Sequence, residues 1–246
     1  MNGKTTAYLV EINHQFYQSC ARSFSQTRRR VQPGVKKSVL EYLHPGKVYN
    51  LLDVGCGNGE LARLIAEHGI GGSYTGLDFS DALIDEYLAP RGQSDLTIRW
   101  LVRDLVAPDW GKDLPPSSFD CIFCFAVLHH IPGSQNQLCL MQNIRRLLKP
   151  DGVFVFSVWQ FLSSPKLVQR IQSWEKIGLH PTDVDEGDYL LDWRAEDRQN
   201  CLRYVHHFSP EKLEAFREQC GFQQIVQYRS DGVNDQLGLY SVWMPE

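Results

Sequence analysis

Between residues 50 and 158 short apolar runs alternate with longer amphipathic stretches, the pattern of repeated strand–helix units that build a parallel sheet. The apolar runs predict strands over 50–54, 73–78, 97–102, 119–125 and 152–158. Helical spacing over 59–68, 80–88 and 135–148 predicts the intervening helices, the last with Leu138, Met141, Ile144, Leu147 and Leu148 at helix-like intervals. Lys149-Pro150-Asp151-Gly152 then reads as a stop, because proline cannot continue a helix and glycine suits a positive-φ turn. Further on, Ser209-Pro210-Glu211-Lys212 reads as an N-cap with proline in the first helical position, opening a helix that ends near Cys220-Gly221. Runs over 223–228 and 237–244 bring the strands to seven. The charged, Trp-containing segment 163–208 reads as an insertion over one face rather than another strand pair. The chain thus divides into an N-terminal helical cap (1–46), an α/β core (47–162), a lid (163–208) and a closing helix with two strands (209–246).

Length and composition change this picture little. With 246 residues, 43% hydrophobic and 22% charged, the chain suits one sizeable soluble α/β domain. No apolar run approaches the roughly 20 residues that span a bilayer, so no membrane association is expected. The polar start Met1-Asn2-Gly3-Lys4-Thr5-Thr6 lacks the apolar stretch of a secretory signal, and the expectation is a cytoplasmic protein. Seven scattered cysteines suit reduced thiols. The one C-x-x-C, Cys121 and Cys124, falls on a predicted strand, where residues three apart face opposite ways; both are expected to be buried apolar groups, and no metal site is predicted. A net charge of −4 argues against an overall basic nucleic-acid binder, although Arg22, Arg28, Arg29, Arg30, Lys36 and Lys37 make the N-terminal segment locally basic.

The chemistry concentrates at the predicted strand ends. The first strand runs into Asp53-Val54-Gly55-Cys56-Gly57-Asn58-Gly59, a glycine-rich turn that opens a helix and lets backbone approach a ligand closely. Alone such a turn also serves purely structural strand-to-helix connections. It begins with an acid and lacks the G-x-G-x-x-G spacing of dinucleotide sites. The second strand ends at Asp78-Phe79, about 20 residues beyond the glycines, where a carboxylate can accept both hydroxyls of a ribose. The third ends at Asp104-Leu105 and the fourth at Phe125-Ala126-Val127-Leu128-His129-His130-Ile131-Pro132.

Together these four elements resemble class I S-adenosylmethionine-dependent methyltransferases. The resemblance implies a Rossmann-like α/β fold, a seven-stranded mostly parallel sheet with helices on both faces, and S-adenosyl-L-methionine as cofactor. It places Asp53 near the cofactor's amino-acid end, Asp78 at the ribose hydroxyls, Asp104 at the adenine amine and the loop from Phe125 and Ala126 beneath the methyl donor, with Gly55, Cys56, Gly57, Phe79 and Leu105 also lining the cofactor site. The N-terminal run Phe16-Tyr17 through Phe24-Ser25-Gln26-Thr27-Arg28, and the later Asp192-Trp193-Arg194 and Arg203-Tyr204-Val205-His206-His207-Phe208, resemble tRNA wobble-uridine carboxymethyl methyltransferases. That resemblance implies Tyr17 and Arg28 over the cofactor and tRNA as partner, with a small protein activator as in eukaryotic relatives.

Methyl transfer from a sulfonium is an in-line displacement, so alignment and exclusion of water matter most. An ionised carboxylate acceptor needs no base. No side chain is therefore assigned a catalytic role outright; Arg28, Arg203, His206 and His130 are the candidates, with Arg194 beside them as a further group that could orient the acceptor. A sheet-edge contact is the equally open reading of Arg203 and Tyr204. The Asn/Asp-Pro-Pro-Tyr/Phe motif of amino-group methyltransferases is absent from the fourth-strand loop. The competing readings are a small-molecule O- or N-methyltransferase and a non-catalytic cofactor-binding scaffold.

Overall fold

The five apolar runs of the first 160 residues become five parallel strands, and the chain's last two strands extend the sheet antiparallel. The computed structural model describes the backbone of residues 1–27, 30–90, 93–194 and 200–246, with side chains for all of these except 20–27, 194 and 200. In chain order the elements are α1 (Gly3–Thr27), α2 (Pro33–Tyr42), β1 (Val48–Val54), α3 (Glu60–Glu67), β2 (Gly71–Asp78), α4 (Asp81–Ile84), β3 (Leu96–Val102), β4 (Phe119–Phe125), α5 (Ser134–Leu147), β5 (Leu148–Trp159), α6 (Pro165–Val168), β6 (Ile171–Gln172), β7 (Asp188–Arg194), β8 (Asn200–His206), α7 (Pro210–Gln219), β9 (Phe222–Ser230) and β10 (Gly238–Pro245). The main sheet has seven strands in the order β3-β2-β1-β4-β5-β10-β9, and β10 pairs antiparallel with both β5 and β9. Strand order reverses between β1 and β4, the switch point beyond whose carboxyl ends open α/β sheets bind ligands.

Period two along the strands divides the core into two layers. On one face Leu51, Cys121, Phe123 and Val155 pack with Leu61, Ala62 and Ile65 of α3. On the other, Leu52, Ile122, Cys124, Phe154 and Phe156 pack with Leu140, Met141, Ile144 and Leu147 of α5 and with Trp243. Cys121 and Cys124 therefore lie on opposite faces. Cys56, Cys121, Cys124, Cys139 and Cys220 are free thiols, whereas Cys201 is disulfide-bonded, a departure from the expectation of reduced thiols throughout.

Three local expectations are corrected. The helix expected over 80–88 is a single turn, α4, capped by Ser80 Oγ accepting from Leu83 N–H at 3.3 Å. Beyond it Tyr87 turns its ring onto Trp100, with centroids 4.9 Å apart, and Pro90 disfavours helical backbone at Ala89. The stop at 149–152 lies inside β5 as a register shift, with Phe119 opposite Leu148 but Cys121 opposite Val153; a bulge is where a proline without an N–H is accommodated. The segment 163–208, expected to hold no strand pair, contains the antiparallel sheet β6-β7-β8. Leu190 and Tyr204 pack under Leu9, Ile12 and Trp174, while Leu191 and Val205 pack under Phe161. Burial on both faces removes the polar–apolar alternation that signals a strand.

One side chain ties α1 to this small sheet. Asn13, buried, donates from Nδ2 to the carbonyls of His130 (2.8 Å) and Tyr204 (3.2 Å) and accepts from Tyr204 N–H at 2.8 Å. Among the described residues no helix is long and apolar enough to cross a membrane. Replacing Asn13 by Ala leaves buried backbone groups unpaired, a cost of about 1–3 kcal/mol. Urea unfolding should show that loss, and hydrogen exchange of the amides in the first half of α1 should accelerate. Unchanged exchange would mean that α1 is held by packing alone.

Candidate functional site

The glycine turn after β1 is held by the strand beside it. Gly55 N–H and Cys56 N–H donate to Leu77 carbonyl oxygen at 2.7 and 2.9 Å, and Gly57 N–H donates to Asp78 Oδ2 at 2.8 Å. The turn needs positive φ at Gly55 (82°) and Gly57 (54°), which side chains with a Cβ rarely adopt. A Cβ on Gly55 would also stand 2.2 Å from Val127 Cγ2, whereas one on Gly57 would meet open space. Backbone at Gly57 is thus bare toward whatever the turn faces.

Three carboxylates stand at three successive strand ends. Asp53 is buried and accepts from Tyr74 Oη; burial, with the charge of Asp78 adding to it, pushes its pKa up to about 7 against the lowering effect of the Tyr74 bond. Asp78 accepts from Gly57 N–H and from Ser80 N–H (3.0 Å), and burial raises its pKa despite these bonds. Asp104 accepts from Val106 N–H at 3.0 Å and faces His14 Nε2 at 3.6 Å; the His14 interaction holds its carboxyl below the usual range.

These groups line one cavity of about 300 Å³. It contains Tyr17, Asp53, Gly55, Cys56, Gly57, Asp78, Phe79, Asp104, Leu105, Phe125 and Ala126, every cofactor candidate named from the sequence except Arg28, which lies outside the described residues. His130 also lines it; its Nδ1 stands 3.1 Å from the Tyr204 carbonyl, which can only accept, so Nδ1 carries a proton. His129 is fully buried beside it, with Nδ1 accepting from Trp159 N–H at 3.2 Å.

The later candidates sit elsewhere. His206 is outside the cavity lining, bonded through Nδ1 to Asp188 Oδ1 (2.6 Å) and through Nε2 to Lys212 Nζ (2.8 Å), and Tyr204 Oη donates to the same Asp188 oxygen at 2.6 Å. Arg203, 1% exposed, has its guanidinium over the rings of Trp159 (4.6 Å), Phe16 (5.2 Å) and Trp193 (5.3 Å). The side chain of Arg194 lies outside those described. Sequence reading missed the contribution of α1: Val10, Asn13 and His14 join Tyr17 on the cavity wall, at the i, i+3, i+4, i+7 spacing of one helix face. It also missed Trp159, Asp231 and Tyr240, contributed by strands and a turn distant in the chain.

A bare glycine turn flanked by acids at the ends of β1, β2 and the loop after β3 fits a ligand carrying an ammonium group, a ribose and a purine amine, which is the donor set S-adenosylmethionine presents. Comparison with known proteins agrees. The model of the methyltransferase domain family matches residues 24–227, and the chain belongs to that family. A protein of Encephalitozoon cuniculi named as a methyltransferase is 28% identical over 85% of this chain and 86% of its own length. The ubiquinone biosynthesis O-methyltransferase of Coxiella burnetii is 36% identical over 44% of this chain and 42% of its own, and the tRNA (carboxymethyluridine(34)-5-O)-methyltransferase of Macaca fascicularis 30% identical over 61% and 20%. A solved SAM-dependent methyltransferase from Methanosarcina mazei superposes with a TM-score of 0.65 at 19% identity, covering 85% of this chain and 98% of that one. The protein is an S-adenosylmethionine-dependent methyltransferase with the Rossmann-like fold of that class.

The acids can be tested one by one. Asp78→Ala should weaken S-adenosylmethionine binding by about 1.5–3 kcal/mol, the range for hydrogen bonds to a charged group; unchanged affinity in a calorimetric titration would take Asp78 out of the site. Asp53 has a folded pKa near 7, above its ordinary value of 3.8, so its contribution to stability is complete below pH 3.8 and is lost as pH rises through about 7. The urea midpoint of the ligand-free protein should carry a downward component across that window, and Asp53→Asn should flatten it. An unaltered pH profile in the variant would show that Asp53 is ionised throughout.

Proposed function

We propose that the protein methylates an anionic oxygen, in the first instance the carboxymethyl group of a wobble uridine in tRNA. The observation that carries this reading is the position of Arg203: its buried guanidinium lies 4.6 Å over Trp159, whose own ring lines the cavity. A permanent cation behind an apolar wall, in a low-dielectric setting, favours an acceptor of opposite charge. The same spot joins the runs that resemble the tRNA enzymes, since Phe16 packs edge-on to Trp193 at 6.2 Å and carries the Arg203 guanidinium 5.2 Å above its ring. The Macaca fascicularis relative, named for carboxymethyluridine, supports the same acceptor.

In this reading Asp78 would take the ribose hydroxyls, Asp104 the adenine amine and Asp53 the ammonium of the cofactor. When bound, S-adenosylmethionine supplies a methyl group activated by its sulfonium. An ionised carboxylate attacks without losing a proton, so the chain's task is to orient it and exclude water. Trp159, Tyr17 and His130 would form the walls against which a flat base stacks.

A second reading, methyl transfer to a small phenol-like metabolite, is favoured by one observation: no Lys or Arg occurs among the described residues lining the cavity. The Coxiella burnetii relative is named for O-methyl transfer in ubiquinone biosynthesis. His130, on the cavity wall, would then be the candidate to take the hydroxyl proton.

Mass analysis of tRNA nucleosides from a deletion strain separates the two. Loss of a methyl-ester nucleoside with accumulation of its free acid is expected; an unchanged profile, together with turnover of phenolic acceptors by the purified protein, would move the assignment to the second reading. Arg203→Met should lower activity on a carboxylate acceptor by about 10- to 100-fold, equivalent to about 1.4–2.7 kcal/mol, without the same loss in cofactor affinity.

A further inference from the structure

His14 meets, on the cavity wall, the two features that an adenine would use. Its imidazole stacks on Phe79, with centroids 4.6 Å apart and planes 26° from parallel, and its Nε2 lies 3.6 Å from Asp104 Oδ1. A flat ring on Phe79 and an N–H toward the carboxylate of Asp104 is what a purine with an exocyclic amine would present. The placement is fixed from behind: Asn13, the neighbouring residue on α1, is bonded to β8, and Tyr17, one turn on, stands edge-on to the same Phe79 ring at 5.8 Å. With His14 and Phe79 already in contact, no purine fits between them, since two stacking distances of about 3.5 Å would need some 7 Å.

We propose that His14 is an internal stand-in for the cofactor's adenine, holding the Phe79 face and the Asp104 carboxylate in the ligand-free protein and yielding both when S-adenosylmethionine binds. This rests on adenine lying at Phe79 and Asp104. The stand-in binds more firmly when protonated. Asp104, from the loop after β3, and Glu11, from the turn before on α1, are the acidic groups acting on it, and Asp104 raises its pKa against the opposing effect of burial. Acidification therefore strengthens the His14–Asp104 pair and weakens adenine's access to it. A side chain that merely lined the site would act in the opposite sense when removed, because truncation of a ligand contact loses affinity.

The test is titration of S-adenosylhomocysteine and of adenosine into the full chain at about pH 6 and about pH 8.5, on either side of an ordinary histidine pKa. His14→Ala should bind both ligands about three- to tenfold tighter than the parent at the lower pH, as expected when a competing occupied state is removed, with a smaller gain at the higher. His14→Phe keeps the stack on Phe79 but not the pair with Asp104, and should lose the parent's pH dependence while gaining less. Asp53 also titrates in this range, but its contribution is common to parent and variants and cancels in the difference. Equal or weaker binding by His14→Ala at about pH 6, or a parent-like pH dependence in His14→Phe, overturns the proposal. Asp104→Asn with unchanged affinity for adenosine would overturn the adenine placement and the stand-in with it, while leaving the acceptor reading untouched.

Discussion

The bond from Gly57 N–H to Asp78 Oδ2 is the constraint on which the site depends. It fastens the turn after β1 to the end of β2, across the register that pairs Val54 with Leu77. Because one oxygen of Asp78 accepts from Gly57 and the other from Ser80, the carboxylate is fixed in direction as well as place. Only a turn with positive φ at Gly55 and Gly57 brings those N–H groups round. The glycine spacing, the acid after β2 and the opening of α3 are therefore one arrangement rather than three motifs.

That arrangement has an electrostatic cost. Asp53 and Asp78 are both buried, each pushed toward its neutral form, and Asp53 feels the charge of Asp78. A ligand bringing a positive charge and hydroxyl donors relieves both, which is how a crowd of acids at strand ends becomes a binding site instead of a defect. Outside the cavity lining the cations are enclosed or paired. Arg203 is surrounded by Phe16, Trp159 and Trp193, and Lys212 is bonded to His206 in the Asp188 network, with burial lowering its pKa.

How much of this was legible depended on whether each signal was local. The Gly55 to Gly59 turn, Asp78 and Asp104 could be read because strand ends and glycine spacing are properties of a few adjacent residues, and Ser209-Pro210 marked the start of α7 for the same reason. β7 and β8 were missed because Leu190, Leu191, Tyr204 and Val205 are buried on both faces and show no alternation. His14 was missed although it sits on a regular helical stripe with Val10, Asn13 and Tyr17, since which stripe of a long helix meets the cavity is decided by Asn13 bonding to a strand 191 residues away. Arg203 was singled out from the sequence, but its burial in an aromatic cluster is a product of tertiary packing between α1, β5 and the small sheet.

The methyl donor is expected in one cavity, at the carboxyl ends of β1, β2 and β4. A crystal structure of the protein with S-adenosylhomocysteine tests it most directly. The ribose hydroxyls should lie on Asp78, the adenine at Phe79 and Asp104 and the sulfur above the Gly55–Gly57 turn. Ligand density elsewhere, or a ribose that does not touch Asp78, would contradict this placement.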